Sequence, residues 1–211
     1  VETLIKEESL NNDLNIKIIQ YNEGFQKSEV LRIFYEAFEQ KITAFIKSKE
    51  KAISIYEKSL NTDRIILAVE DKKITGMAGL HYDDKNFTDI NYDTLKRYYS
   101  PLKSFFMYWG LRLMTPKVQK ETVRIDSIAV DKSCRGRGIG TKLIEAVIEF
   151  ARQNSYGQVL LEVVDTNPKA KVLYERMGFK VKKKVNFYFL TRSAGFSSEY
   201  IMVYDIPVNS K

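Results

Sequence analysis

The sequence predicts an α/β domain built on a mixed sheet of about seven strands with helices on its flanks. Three observations carry this prediction. Apolar or alternating runs of strand length recur along the 211 residues, separated by runs with helical spacing. The strand-like runs meet as hairpins at the front and at the back, which excludes a fully parallel sheet. No Gly/Ser-rich or Pro-rich linker and no internal repeat divides the chain, so residues 1–211 read as one domain.

The elements follow in order. Leu14 to Tyr21 reads as the first strand, with Ile16 and Ile18 on one face. Ser28 to Ile46 reads as an amphipathic helix, with Val30, Ile33, Phe34, Ala37, Phe38 and Ile42 at helical spacing and Ser28 as its N-cap. A second helix covers Lys49 to Leu60. Arg64 to Val69 and Ile74 to His81 are strands joined by a hairpin at Glu70-Asp71-Lys72-Lys73, and Asp83 to Asp93 is a polar loop. Thr94 to Val118 is aromatic-rich and helical, broken at Pro101. Val123 to Val130 is the fourth strand and Thr141 to Arg152 the next amphipathic helix. Gln158 to Val164 is a nearly continuous apolar run, as a central buried strand requires. Asn167-Pro168 gives an N-cap followed by proline at the first helical position, and that helix ends at Met177-Gly178. Lys180 to Leu190 and Glu199 to Ile206 form a final strand pair. The lysines 180, 182, 183 and 184 alternate with Val181 and Val185 as on a solvated edge.

Composition narrows the function. With 44% hydrophobic and 12% aromatic residues, the chain has the material for a substantial core. The net charge of +7 suits an anionic ligand without choosing among anions. One Cys and one His exclude a His/Cys zinc cluster and a disulfide framework, so no metal is expected. A reducing, cytoplasmic setting is the natural expectation. Glu2, Glu7 and Glu8 make the first residues unlike a signal peptide, and no apolar run approaches the ~18 residues of a membrane span.

The most informative stretch is Arg135-Gly136-Arg137-Gly138-Ile139-Gly140, between a strand and a helix. Glycines there let a phosphate approach the main chain, and the N–H groups and dipole of the new helix favour the anion. The spacing is one residue short of the dinucleotide fingerprint, and no Gly-Lys-Ser/Thr follows as a P-loop needs.

Arg135-x-x-Gly138-x-Gly140 resembles the Arg/Gln-x-x-Gly-x-Gly/Ala signature of the GNAT superfamily of acetyl-CoA-dependent N-acetyltransferases. Asp126-Ser127-Ile128-Ala129-Val130-Asp131 is similar to the strand that precedes that signature. Asn167 to Phe179 resembles the family's second block, Asn-x-x-Ala-x-x-Leu-Tyr-Glu-x-x-Gly-Phe. The resemblance covers Val123 to Lys180 and is only topological before that.

The resemblance implies the GNAT fold, with the fourth and fifth strands splayed, and acetyl transfer from acetyl-CoA to a primary amine without a covalent enzyme intermediate. It implies that the backbone of Ile128, Ala129 and Val130 meets the pantetheine arm. Arg135, Gly136, Arg137, Gly138, Ile139, Gly140 and Thr141 would hold the pyrophosphate through their N–H groups, and Asn167 and Lys171 join the cofactor contacts. A strand N–H near Ile128 would polarise the thioester carbonyl.

An amine with a pKa near ~8 to ~10.4 must lose a proton before it attacks. Glu162, a lone acid in an apolar strand, is the first candidate base; Asp126 on the fourth strand is its rival. Tyr174, at the family's tyrosine position, is the candidate proton donor to the departing thiolate. The acceptor is open: a protein N-terminus or lysine leads, with polyamines, amino sugars and amino acids behind it. A non-catalytic acyl-CoA sensor is the alternative of another class. Cys134 and His81 read as a loop cysteine and a structural histidine. The aromatic insert between the third and fourth strands is expected to cap the acceptor side. A dimer face is another use open to it, and neither a nucleic acid nor a membrane is indicated as partner.

Overall fold

The computed structural model of the chain describes residues 15–114, 118–187 and 195–207. Seven strands form one sheet in the order β1-β2-β3-β4-β5-β7-β6. They are β1 (Ile16–Gln20), β2 (Ile65–Glu70), β3 (Lys73–His81), β4 (Thr122–Val130), β5 (Gln158–Val164), β6 (Lys180–Asn186) and β7 (Ser198–Asp205). Every neighbouring pair is antiparallel except β4 and β5. The expected mixed sheet is therefore present, with hairpins at both ends and one parallel pair at its centre. Leu14 and the end of the last strand pair (188–190) lie outside the described residues, as do 1–14 in general and 115–117 of the insert.

The β2–β3 connection is a two-residue turn, Asp71-Lys72, with both φ positive (48° and 65°). That is the mirror-image turn whose twist matches a tight hairpin. The helices are α1 (Lys27–Phe45), α2 (Lys49–Ser59), α3 (Tyr92–Lys96), α4 (Pro101–Met114), α5 (Ile139–Gln153) and α6 (Pro168–Arg176). Ser28 is not the N-cap of α1; the helix starts one residue earlier, after Gln26, and the Ser28 hydroxyl lies 3.4 Å from Gln26 Oε1. Ser48 does cap α2, accepting from the Lys51 amide. Phe38 interrupts α1 with φ −118° and ψ 15°, so the helix kinks there. Pro101 begins α4, as the break in the aromatic segment requires.

Each face of the sheet carries its own core. On one side α5 packs Leu143, Ile144 and Val147 against Ile66, Ala78, Leu80, Val123, Ile125, Val159 and Leu161. On the other, α1, α2 and α3 pack Val30, Phe34, Ile55 and Leu95 against Ile65, Leu67, Met77 and Ala129. The period-2 alternation of β2 divides its residues between the two cores. The lysines of β6 are exposed at the sheet edge as expected, but they do not alternate with buried valines: Val181 is exposed too, and the register shifts between Val181 and Lys183.

Alternation breaks in β3 at Thr75 and in β6 at Lys182, but the break that shapes the site is at the centre, in β4. Ile125 belongs to the α5-side core and Ala129 to the α1-side core, although they are four residues apart. An extra residue must lie between them. The register supplies it: Leu80 pairs with Ile125 and Gly79 with Ser127, so Asp126 is the bulged residue.

Candidate active site

β4 and β5 pair only over Thr122–Ile125 and Gln158–Leu161. Beyond that β4 stays with β3 up to Val130, and β5 stays with β7 up to Val164. The two central strands thus part, and the ends of both face a gap. The Asp131 amide donates to the Thr75 carbonyl across β3 at 2.9 Å. Backbone direction alternates along a strand, so Ala129 and Ser127 also aim their N–H and C=O groups at β3. Ile128 and Val130 aim theirs into the gap. Ala129 packs as wall rather than offering a hydrogen-bonding edge, so of the three residues assigned to the backbone contacts two face the opening. A cleft of about 260 Å³ runs along this gap, lined by Ser127, Ile128, Glu162, Val164, Asn167 and Tyr174 among others.

The glycine turn stands at the far end of β4. Gly136 and Gly138 have φ of 79° and 75°, and Gly138 occupies the N-cap position of α5 with no side-chain cap bond. Glycine is required at both for backbone reasons. The first intrahelical bond runs from the Lys142 amide to the Gly138 carbonyl, so the amides of Ile139, Gly140 and Thr141 precede the helical ladder. Gly140 is different from the other two glycines. Its φ is ordinary, and a Cβ there would meet Val130 at 3.9 Å, an ordinary contact. Nothing in the chain's own packing demands glycine at 140, which fits a surface kept bare for a ligand. Arg135 donates from Nε to the Val130 carbonyl at 3.3 Å. Arg137 is held by Glu70 at 2.9 and 2.5 Å, so its side chain braces the loop against β2.

The helix that follows β5 starts as its sequence dictates. Asn167 accepts from the Ala170 amide at 3.2 Å with Pro168 behind it. Asn167→Ala is expected to lower stability by about 1 kcal/mol, read as a shift in denaturation midpoint. Lys171 pairs with Glu175 and lies over the Tyr200 ring. Tyr174 is buried beside Phe179 in the α5-side core and lines the cleft, and burial pushes its hydroxyl up to about 12.

Charged side chains converge on the α1 side of the gap. Arg124 binds Glu162 at 2.7 Å and lies 3.5 Å from Asp126. His81 Nδ1 lies 3.9 Å from the same Asp126 oxygen, too long for a hydrogen bond. Both His81 Nδ1 and Arg124 Nε are buried without a hydrogen-bond partner. Burial pushes Asp126 up to about 7, against the pull of Arg124 and aided by Glu162 and Asp89. Burial, with Glu162 close by, also raises Glu199 to about 7. Lys41 and His81 are both lowered, chiefly by burial. Of the two acids read from the sequence, then, Glu162 is locked to a guanidinium and Asp126 is the one poised near neutrality. Arg124, Glu199 and Lys41 escaped the sequence reading. Arg124 had the same signal as Glu162, a charge inside an apolar strand.

A second cavity, about 500 Å³, opens between α1, α2 and α4. Phe38, Lys41, Asp126 and Ser127 line both cavities, which meet between α1 and the bulge of β4. Phe106 of the insert lines the large cavity while remaining 66% exposed, and Phe105 and Trp109 meet edge to face and are half-exposed. Cys134 is buried at the end of the short turn before Arg135, within the α5-side core.

The model of the acetyltransferase (GNAT) family matches residues 28–179. The chain belongs to this family. This GNAT chain is 27% identical to human N-acetyltransferase 8B over 92 residues, 44% of this chain and 40% of that protein. It spans less than half the length of that relative, and only 24% of the probable N-acetyltransferase camello of Xenopus laevis, to which it is 45% identical over 53 residues. Its fold is that of an N-acetyltransferase structure from Staphylococcus aureus Mu50, with a TM-score of 0.61 at 18% identity over 89% of this chain and 100% of the other. The GNAT match takes in the glycine turn and the Asn167–Phe179 block together with α1, which carries Lys41 and the aromatic wall of the large cavity.

Proposed function

We propose that this chain transfers an acetyl group from acetyl-CoA to a primary amine by direct attack within a ternary complex. The observation that carries the reading is the parting of β4 and β5 beside an uncapped helix start, with a carboxyl raised to about 7 on the wall between two cavities. Acetyl-CoA supplies the activated thioester. The amides of Ile139, Gly140 and Thr141 suit the pyrophosphate, and the backbone of Ile128 and Val130 suits the pantetheine arm. An amide at Ile128 is aimed to draw electron density from the thioester carbonyl.

Asp126 takes the proton that the attacking amine must lose. As the new C–N bond forms and the C–S bond breaks, Tyr174 donates a proton to the departing sulfur. A hydroxyl raised to about 12 stays protonated at neutral pH, as a donor must. Glu162 holds Arg124 and so helps set the field at Asp126; it remains the second candidate base. Tyr174→Phe is expected to lower kcat about tenfold or more while the KM for acetyl-CoA changes little. Equal loss of kcat and acetyl-CoA binding would assign Tyr174 to packing instead.

The deciding experiment is thiol release from acetyl-CoA across a panel of amines, N-terminal peptides and polyamines included, for wild type, Asp126→Asn, Glu162→Gln and Tyr174→Phe. Acetyl-CoA binding with no amine-stimulated thiol release would favour a non-catalytic acyl-CoA sensor. Loss confined to Glu162→Gln would return the base to Glu162.

A further inference from the structure

The two cavities meet between α1 and Asp126, and their walls differ in character. The cleft along the strand gap carries backbone edges and charged groups. The large cavity is walled by Phe34, Phe38 and Ile42 of α1, Tyr56 of α2, and Phe106 and Met107 of α4. Among the described residues lining it, Asp126 is the one carboxyl and Lys41 the one cation. Its volume of about 500 Å³ falls in the usual range for small-molecule sites.

We infer that the acceptor is a monoamine on an apolar body, an arylalkyl or alkyl amine of small-molecule size, seated in the large cavity with its nitrogen at Asp126. This rests on the acetyl-transfer reading. One polar end at the floor and an aromatic wall along the rest match a ligand with one amine and a hydrophobic remainder. A polyamine or amino sugar fits badly. Its further cationic or hydroxyl groups would be left among aromatic rings without polar partners. A cation over an aromatic ring gains less than desolvating an unpaired charge costs. A peptide fits badly for a related reason, because its backbone amides would run along walls of carbon and lack partners.

α4 offers a clean probe. Gly110 lines the cavity, and a Cβ built there meets nothing within 4 Å. Leucine is a better helix former than glycine, so Gly110→Leu fills the cavity without threatening the helix.

The test is steady-state CoA release at saturating acetyl-CoA with tryptamine, 2-phenylethylamine and hexylamine against spermidine, glucosamine and a hydrophilic tetrapeptide. The apolar monoamines are expected to lead in kcat/KM by at least about tenfold. Gly110→Leu is expected to raise the KM for tryptamine by at least about tenfold, with the KM for acetyl-CoA unchanged and the melting temperature not lowered. A polar amine or the peptide in the lead, or an unmoved tryptamine KM in Gly110→Leu, overturns the inference. Calorimetric titration of tryptamine into the protein with CoA present separates the two levels. Tryptamine binding that Gly110→Leu weakens, without turnover of any amine, supports the pocket assignment and sinks acetyl transfer. Turnover of polar amines without tryptamine binding sinks the pocket assignment and leaves acetyl transfer standing. Failure of both binding and turnover overturns both.

Discussion

Asp126→Asn is expected to lower kcat by about a hundredfold or more while acetyl-CoA affinity changes little, because general-base catalysis typically contributes that much. The wild-type pH profile carries the matching signature. With Asp126 raised to about 7, activity should rise with pH through an acid limb near neutrality. The limb belongs to the cluster as a whole, since Glu199 titrates in the same range. In Asp126→Asn the residual rate should lose its steep dependence there. An intact rate with an intact limb would remove Asp126 from the chemistry.

The same shift has a sign in stability. Asp126 and Glu199 are raised on folding, so each is harder to ionise in the folded than in the unfolded chain. Their contribution is fully present below the unfolded pKa of about 4 and is lost as pH rises to about 7. Asp126→Asn should therefore be more stable than wild type at pH 8 and show no such advantage at pH 4. Denaturant midpoints at the two pH values measure it. A folding gain paired with an activity loss is what a site kept under electrostatic stress should give.

Gly140→Val is expected to weaken acetyl-CoA binding by about tenfold or more, equal to about 1.4 kcal/mol, with a melting temperature close to wild type. The separation of effects comes from geometry. Gly136 and Gly138 have positive φ, so any side chain there strains the turn and confuses folding with binding. Gly140 has ordinary backbone angles and space for a Cβ. A side chain at 140 therefore trespasses on the ligand and not on the protein. Calorimetry with acetyl-CoA is the measurement, and an unchanged Kd would remove the glycine turn from the donor site.

What could be read from the sequence was whatever is written locally. The glycine turn, the Asn167-Pro168 cap, the strand at β5 and the Pro101 break each depend on a few adjacent residues, and each was found where expected, although β5 is fully buried only at Val159, Leu161 and Val163. The N-cap of α1 misled because Ser28 is the better capping residue, yet packing starts the helix at Lys27. The charge cluster was only half legible. Its members come from α1, β3, β4, β5 and β7, and only Glu162 and Asp126 announced themselves as acids in apolar strands. Burial raises Asp126 toward neutrality, and no local pattern records how deeply the fold would bury it or which acid Arg124 would bind. The insert likewise displayed its aromatics without saying that Phe106, exposed as it is, would line the large cavity while Phe105 and Trp109 would not.

The bulge at Asp126 separates two kinds of sequence change. Val123 and Ile125 before it and Ile128 and Val130 after it all face the α5-side core, because the extra residue resets the alternation and turns Ala129 to the other core. Exchanging the side chain at 126 leaves that arrangement untouched. Deleting one residue there, or inserting one nearby, would turn the remainder of β4 over, sending Ala129 toward α5 and Ile128 and Val130 toward α1. At this point the chain is tolerant in spelling and strict in count, so descendants of this sequence can retune the acid far more readily than they can move it.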